Sequence, residues 1–160
     1  MVESLRPFIM SAYNAPVSLW VRESSWAFAT LEVVHLFGLT MLLGSVLMLS
    51  LRSFGLTMRK HSIGQVARDL SVGMFAGLAL NVSSGILMFA SGAVRYWVSG
   101  PFQFKMVCLL VAVVVQSSLY LKVTRSNDQQ LNLRRTRLAG GVALLLWISV
   151  GAAGRAIAFM

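Results

Sequence analysis

The stretch WAFATLEVVHLFGLTMLLGSVLMLSL, running from Trp26 to Leu51, decides the fold. It is longer than the roughly 17–25 helical residues that cross a hydrocarbon layer of about 30 Å. Its only ionisable side chains are Glu32 and His35. Backbone groups surrounded by lipid must pair within their own helix or around a closed barrel. Barrel strands alternate polar and apolar residues. This run does not alternate, so it reads as a membrane helix.

Three further apolar runs, at about 70–90, 104–124 and 138–159, have the same character. Short connections make consecutive helices antiparallel neighbours. The expected fold is all-α, an integral membrane four-helix up-down bundle over residues 26–160. Composition points the same way: 57% of the 160 residues are hydrophobic and 12% charged, against about 45–50% and 25% in soluble domains. A soluble enzyme and a disordered tail are excluded together. A disulfide scaffold is excluded too, since Cys108 stands alone. No phosphate-binding glycine loop, zinc motif, nucleophile elbow or catalytic carboxylate pair appears.

Fourteen bases against five acids leave a net charge of +9. Arg52, Arg59, Lys60, Arg68, Lys122, Arg125, Arg134, Arg135 and Arg137 fall in the two loops at one end of the expected bundle. Arg6, Arg22, Arg95, Lys105 and Arg155 belong to the other end. Lys and Arg collect on the cytoplasmic side, so the expected localisation is the bacterial inner membrane with both termini periplasmic. No recognition motif accompanies the charge, and no nucleic-acid partner is expected. Residues 1–25 are broken by Pro7 and Pro16 and carry Phe8, Tyr13 and Trp20. They read as an interfacial segment at headgroup level ahead of the first span, with Ser24 or Ser25 placed to cap that span. After Arg6, the run Phe8-Ile9-Met10 is too short for a secretory signal.

Ionisable groups inside a span cost about 2.5–3.5 kcal/mol each near its centre and mark function by default. At about 1.5 Å per residue, Glu32 lies roughly 9 Å and His35 roughly 14 Å in from the outer end of the first helix. Lys105 opens the third helix, and Arg155 lies about a turn from the end of the fourth. All four fall at one level. Glu32 and His35 are three apart and share a helix face, so the carboxylate is expected to orient the imidazole. The pair reads as a haem or metal site with His35 as ligand, as a proton relay, or as a hydrogen-bonded pair serving helix packing. Lys105 and Arg155 read as anion partners or as cations snorkelling to headgroups. Arg155 follows Trp147 and Gly151 at four-residue spacing, which turns it inward if that face is buried.

On the second helix Gly73, Gly77, Asn81 and Gly85 recur every four residues. Such a stripe admits a close neighbouring helix or a flat cofactor, and Asn81 is level with His35. Gln116 and Tyr120 are expected to satisfy one another across helices. His61 reads as a solvated loop residue, so a second histidine for a six-coordinate haem is missing. A methionine, among them Met41, Met48, Met74 and Met88, or a second copy of the chain would have to replace it. The methionines otherwise follow core positions, and Cys108 reads as an inert buried thiol.

The first helix (Glu32-Val-Val-His35-Leu-Phe-Gly38, then Gly44-Ser45 to Gly55), the opening Pro101-Phe102-Gln-Phe104-Lys105 and the closing Ala153-Gly154-Arg155-Ala-Ile157 resemble one family. It is a family of small, uncharacterised four-helix bacterial inner-membrane proteins. More loosely, the histidine of the first helix and the lysine opening the third resemble the copper-resistance CopD membrane domain, HemJ-type protoporphyrinogen oxidases and the cytochrome b561 group. The paired membrane histidines of the last are absent. These looser likenesses imply haem or copper.

The expected function is a membrane-embedded redox module. It would bind b-type haem, or copper, through His35, with Glu32, Asn81, Lys105 and Arg155 around the cofactor. It would exchange electrons with quinone or a periplasmic redox protein. The alternatives are a non-catalytic anchor within a homodimer or larger membrane complex, and copper transport of CopD type.

Overall fold

The computed structural model describes residues 2–125 and 132–158, with side chains from Arg6 to Ile157 apart from the same gap. Among them there is no strand. The helices are α1 (Val2–Tyr13), α2 (Pro16–Glu23), α3 (Ala27–Phe54), α4 (Ile63–Asp69), α5 (Ser71–Ser91), α6 (Ala93–Trp97), α7 (Gly100–Arg125) and α8 (Leu133–Ala158). Four of these, α3, α5, α7 and α8, are long and apolar enough to cross a membrane, and the protein is a multi-pass membrane protein built as an all-α bundle. α3 runs three residues past its expected end, α7 and α8 begin four and five residues before their expected starts, and α5 matches its expected limits to within one residue. Phe159, the last residue expected in the fourth span, lies outside the described residues. Val33, Leu110, Val114 and Leu145 are all more than 60% exposed, an apolar surface that only lipid solvates without cost.

The α3–α5 pair sets the geometry. A Cβ added to Gly77 would stand 2.7 Å from the carbonyl oxygen of Gly38 and 2.7 Å from the backbone nitrogen of Leu42. One added to Gly38 would stand 2.9 Å from the Asn81 nitrogen. Two backbones therefore touch where two glycines face, the close approach that small-residue stripes permit in lipid. The α5 stripe is a packing device. On the other side of α3, Ser50 donates to the Gly140 carbonyl of α8 at 3.0 Å. Leu42, Val46, Met74, Ala112, Ala143 and Trp147 fill the centre. By contrast, α5 and α7 meet through long side chains: Phe75 edge-on to Tyr120 at 5.4 Å and Phe89 stacked on Phe102 at 5.0 Å.

Gly55 ends α3 in the left-handed region, at φ 78°. Its nitrogen bonds the Arg52 carbonyl at 2.9 Å and that of Leu56 bonds Leu51 at 3.0 Å. This double bond pattern closes a helix on glycine. Ser62 then caps α4 by accepting from the Gln65 nitrogen at 3.0 Å. The N-terminal segment forms two short helices with Pro16 in the first turn of α2, where its missing N–H costs nothing. Arg22 ties them to the bundle. It stacks on the Tyr13 ring at 3.8 Å and donates to the carbonyls of Tyr13 (2.7 Å) and Ser91 (3.4 Å). Ser24 accepts from the Ala27 nitrogen at 3.3 Å at the start of α3.

The α3–α5 contact makes opposite predictions for two glycines of α3 and α5. Gly77→Ala drives a methyl group into backbone and lowers the stability of the detergent-solubilised protein by on the order of 1–3 kcal/mol. Gly44→Ala, with open space around it, raises stability by up to about 1 kcal/mol through helix propensity. Thermal melts of the two variants should move in opposite directions.

Candidate functional site

The wide separation of α5 from α7 leaves a cavity of about 570 Å³ at the end of the bundle that carries α2 and α6. Its size falls within the range of roughly 300–1,000 Å³ typical of small-molecule sites. Glu32 and His35 reach it from α3, Asn81 from α5, Lys105 from α7 and Arg155 from α8. All five residues expected at a site thus line a single space. Gly151 and Gly154 line it too and Trp147 is buried at 1% exposure, so the inward face anticipated for α8 is real.

The imidazole is held by α5. Ser84 Oγ lies 3.0 Å from His35 Nδ1, and the serine's single proton goes to the Leu80 carbonyl one turn back. Its oxygen is then an acceptor, which assigns the ring hydrogen to Nδ1. The Asn81 amide nitrogen agrees: it donates to the His35 carbonyl at 3.1 Å and approaches Nε2 at 3.4 Å. Nε2 therefore carries the lone pair. Gly85 makes room for the ring, since a Cβ there would stand 3.2 Å from His35 Cε1.

This corrects the role expected of Glu32. It does not orient the imidazole; Ser84 and Asn81 do. Side chains on a helix lean toward its N-terminus, so Glu32 covers the turn nearer the cavity mouth while the His35 ring settles against Gly85. Glu32 is half-buried and has no hydrogen bond or ion pair among the described residues. Lys105, also half-buried, likewise has none among them. Its ammonium lies across α8, where a Cβ on Gly154 would meet Nζ at 3.3 Å. The two opposite charges share a cavity without pairing.

Several lining residues were not anticipated there. Arg95 and Tyr96 come from α6, in what reads from sequence as a simple connection. With Lys105 and Arg155 they give the cavity three cations against one carboxylate. Tyr96, Phe102 and Phe89 form a ladder of near-parallel rings along one wall, with interplanar angles of 21° and 13°. Met88, one of the methionines named above as a replacement for the missing histidine, puts a thioether into the lining. Ser84, which holds the ring, was missed as well.

Residues elsewhere keep apart from this site. Cys108 is buried in the central cluster. His61 is exposed in the far loop, its carbonyl accepting from Arg52 Nε at 2.8 Å. Gln116 and Tyr120 do not satisfy one another: Gln116 Nε2 donates to Met74 Sδ at 3.2 Å, and Tyr120 packs on Phe75. Among the described residues, no group of three His, Cys, Asp or Glu is placed to hold a metal.

The Ser84 contact is open to a direct check. Nitrogen-15 shifts of labelled protein should place the His35 hydrogen on Nδ1. Ser84→Ala should convert that single tautomer to a mixture, with the four helices intact by circular dichroism.

Comparison with curated proteins and with solved structures finds no match, so the copper-resistance, protoporphyrinogen-oxidase and b561 likenesses gain nothing from it. Residues 23–160 match a family of unknown function, DUF6644, leaving α1 and all but the last residue of α2 outside the match. That span takes in the four membrane helices and every residue of the cavity, and the chain belongs to this family.

Proposed function

We propose that the protein is a membrane-embedded redox module whose cavity holds a b-type haem, with His35 Nε2 as its ligand. One observation carries this reading: a fixed imidazole, a half-buried lysine and a half-buried carboxylate face one cavity, and the two charges leave each other unpaired. A polar cluster serving only helix packing would satisfy itself internally, because an unmet charge in lipid is costly. Charges held apart are groups kept for a ligand.

The residues suit a flat, amphipathic anion. His35 donates from Nδ1 to Ser84, the outer hydrogen bond that fixes a ligating histidine in its tautomer. Nε2 would give up only a 3.4 Å contact as a haem ligand, since the Asn81 amide bonds the His35 carbonyl at 3.1 Å. Lys105, Arg95 and Arg155, all in the lining, would balance the carboxylates of such a ligand. Phe89, Phe102 and Tyr96 supply an aromatic wall, and Met88 is a thioether available on α5. When bound, haem supplies a reversible one-electron change at iron. The surrounding side chains hold it, balance its charge and keep bulk water from the ring. The natural exchange partner would be quinone or a redox protein at the outer surface.

Copper is the weaker occupant of the same site. Soft ligands favour copper(I), and Met88 is the thioether this cavity offers while Cys108 lies in the core. We also propose the bacterial inner membrane with both termini periplasmic, on the excess of Lys and Arg at the opposite end.

Protein purified from cells supplied with haem should show a Soret band and carry iron stoichiometrically. His35→Ala should lose both, and Lys105→Ala should weaken haem retention by roughly 10-fold or more. A colourless preparation with neither iron nor copper overturns the reading. For orientation, Val98→Cys in a Cys108→Ser background should react with an impermeant maleimide in intact spheroplasts. Lys60→Cys should react only after lysis.

A further inference from the structure

We infer that one internal water molecule is bound between α7 and α8, accepting from the Trp147 indole and donating to the Gln116 side-chain carbonyl. Both side chains are sealed inside the bundle, Trp147 at 1% and Gln116 at 4% exposure. Trp147 Nε1 and Gln116 Oε1 each lack a hydrogen-bond partner. Both residues line one small void, of about 10 Å³, together with Leu42, Met74, Leu78 and Ser117. The two orphans are complementary: an N–H that can only donate and a carbonyl oxygen that can only accept.

The amide orientation is not arbitrary. Gln116 Nε2 donates to Met74 Sδ at 3.2 Å. Turning the amide over would set oxygen against sulfur, with no donor between them. Oxygen therefore faces the void. A space on the order of 10–15 Å³ admits one water and nothing larger, and a buried water needs two to four polar partners. Trp147 and Gln116 supply two.

The setting makes the bridge matter. The void lies in the middle of the spans, where no bulk water reaches an unmet N–H or C=O. A bound water completes a line from Met74 on α5, through Gln116 on α7, to Trp147 on α8. It runs about one turn below the cavity, since Leu42 and Leu78 lie three residues beyond Leu39 and Asn81 of the cavity lining. It would fix the rotation of α8 that presents Val150 and Gly151 to the cavity floor. The inference stands apart from any identity of the cavity's ligand.

The test is a water-selective NOE experiment on the full chain, nitrogen-15 labelled at tryptophan, in lipid nanodiscs. Loss of one indole signal in Trp147→Phe assigns that residue. The wild-type Trp147 indole proton should show a cross-peak to water, with the sign given by a long-lived bound molecule. Gln116→Leu should remove it, at least threefold in intensity, while the other indole signals stay in place. An indole proton with no water cross-peak overturns the inference. So does a scalar coupling directly from the Trp147 nitrogen to the Gln116 carbonyl, or a cross-peak that survives Gln116→Leu. The wild-type measurement decides even if the leucine variant does not fold.

Discussion

Everything at the cavity follows from one backbone contact, Gly38 against Gly77. It brings α3 and α5 so close that a single methyl group would collide with main-chain atoms. Nothing larger than glycine is tolerated where the axes cross, and no hydrophobic force between helices is available in lipid to hold a looser arrangement. One turn toward the cavity end, the same closeness presses the His35 ring onto α5, within reach of Ser84 and Asn81. Because α3 leans on α5 and also packs on α8, α7 is left to meet α5 through aromatic side chains. The gap they span is the cavity.

Within that cavity the charges explain more than the shape does. Lys105 and Glu32 are carried on different helices, each half-buried, each without a protein partner among the described residues. Placing either group in a span costs free energy that a mutual ion pair would partly offset. The fold forgoes that offset. Opposite charges kept apart, around an imidazole already held by serine, are the ground on which the proposed ligand rests. The cationic excess of the lining is why the proposed ligand is an anion.

The fold was readable because lipid permits so few solutions. Once Trp26–Leu51 is too long and too apolar for anything but a span, helix, antiparallel neighbours and basic loops follow in turn. The level of the site was readable too, since depth along a helix is simple arithmetic from Glu32, His35, Lys105 and Arg155. What failed was direction around the helix. Three-residue spacing placed Glu32 on the histidine's face, yet the ring turned to whatever space its neighbour left, and Gly85 left it. Ser84 was invisible because a helical serine ordinarily bonds its own turn. It does so here, to Leu80, and its remaining lone pair is what serves His35. Arg95 and Tyr96 were hidden in a connection whose short helix α6 sequence patterning does not reveal.

The net charge of +9 has two different physical uses at the two ends. At the loop end several arginines are occupied. Arg59 donates to the Gly55 carbonyl, Arg137 to Ser53 at 3.2 Å and Arg68 to Thr124 at 3.4 Å. These are carbonyls at the C-terminal ends of α3 and α7, where the helix dipole is negative and the last oxygens lack internal partners. Those cations complete helices. Lys105 cannot act in that way. It sits in the second turn of α7, toward the N-terminal end of the helix, where no terminal carbonyl is left to receive it. A lysine kept half-buried there gains nothing from its own helix. Whatever offsets its charge has to come from the cavity that it lines.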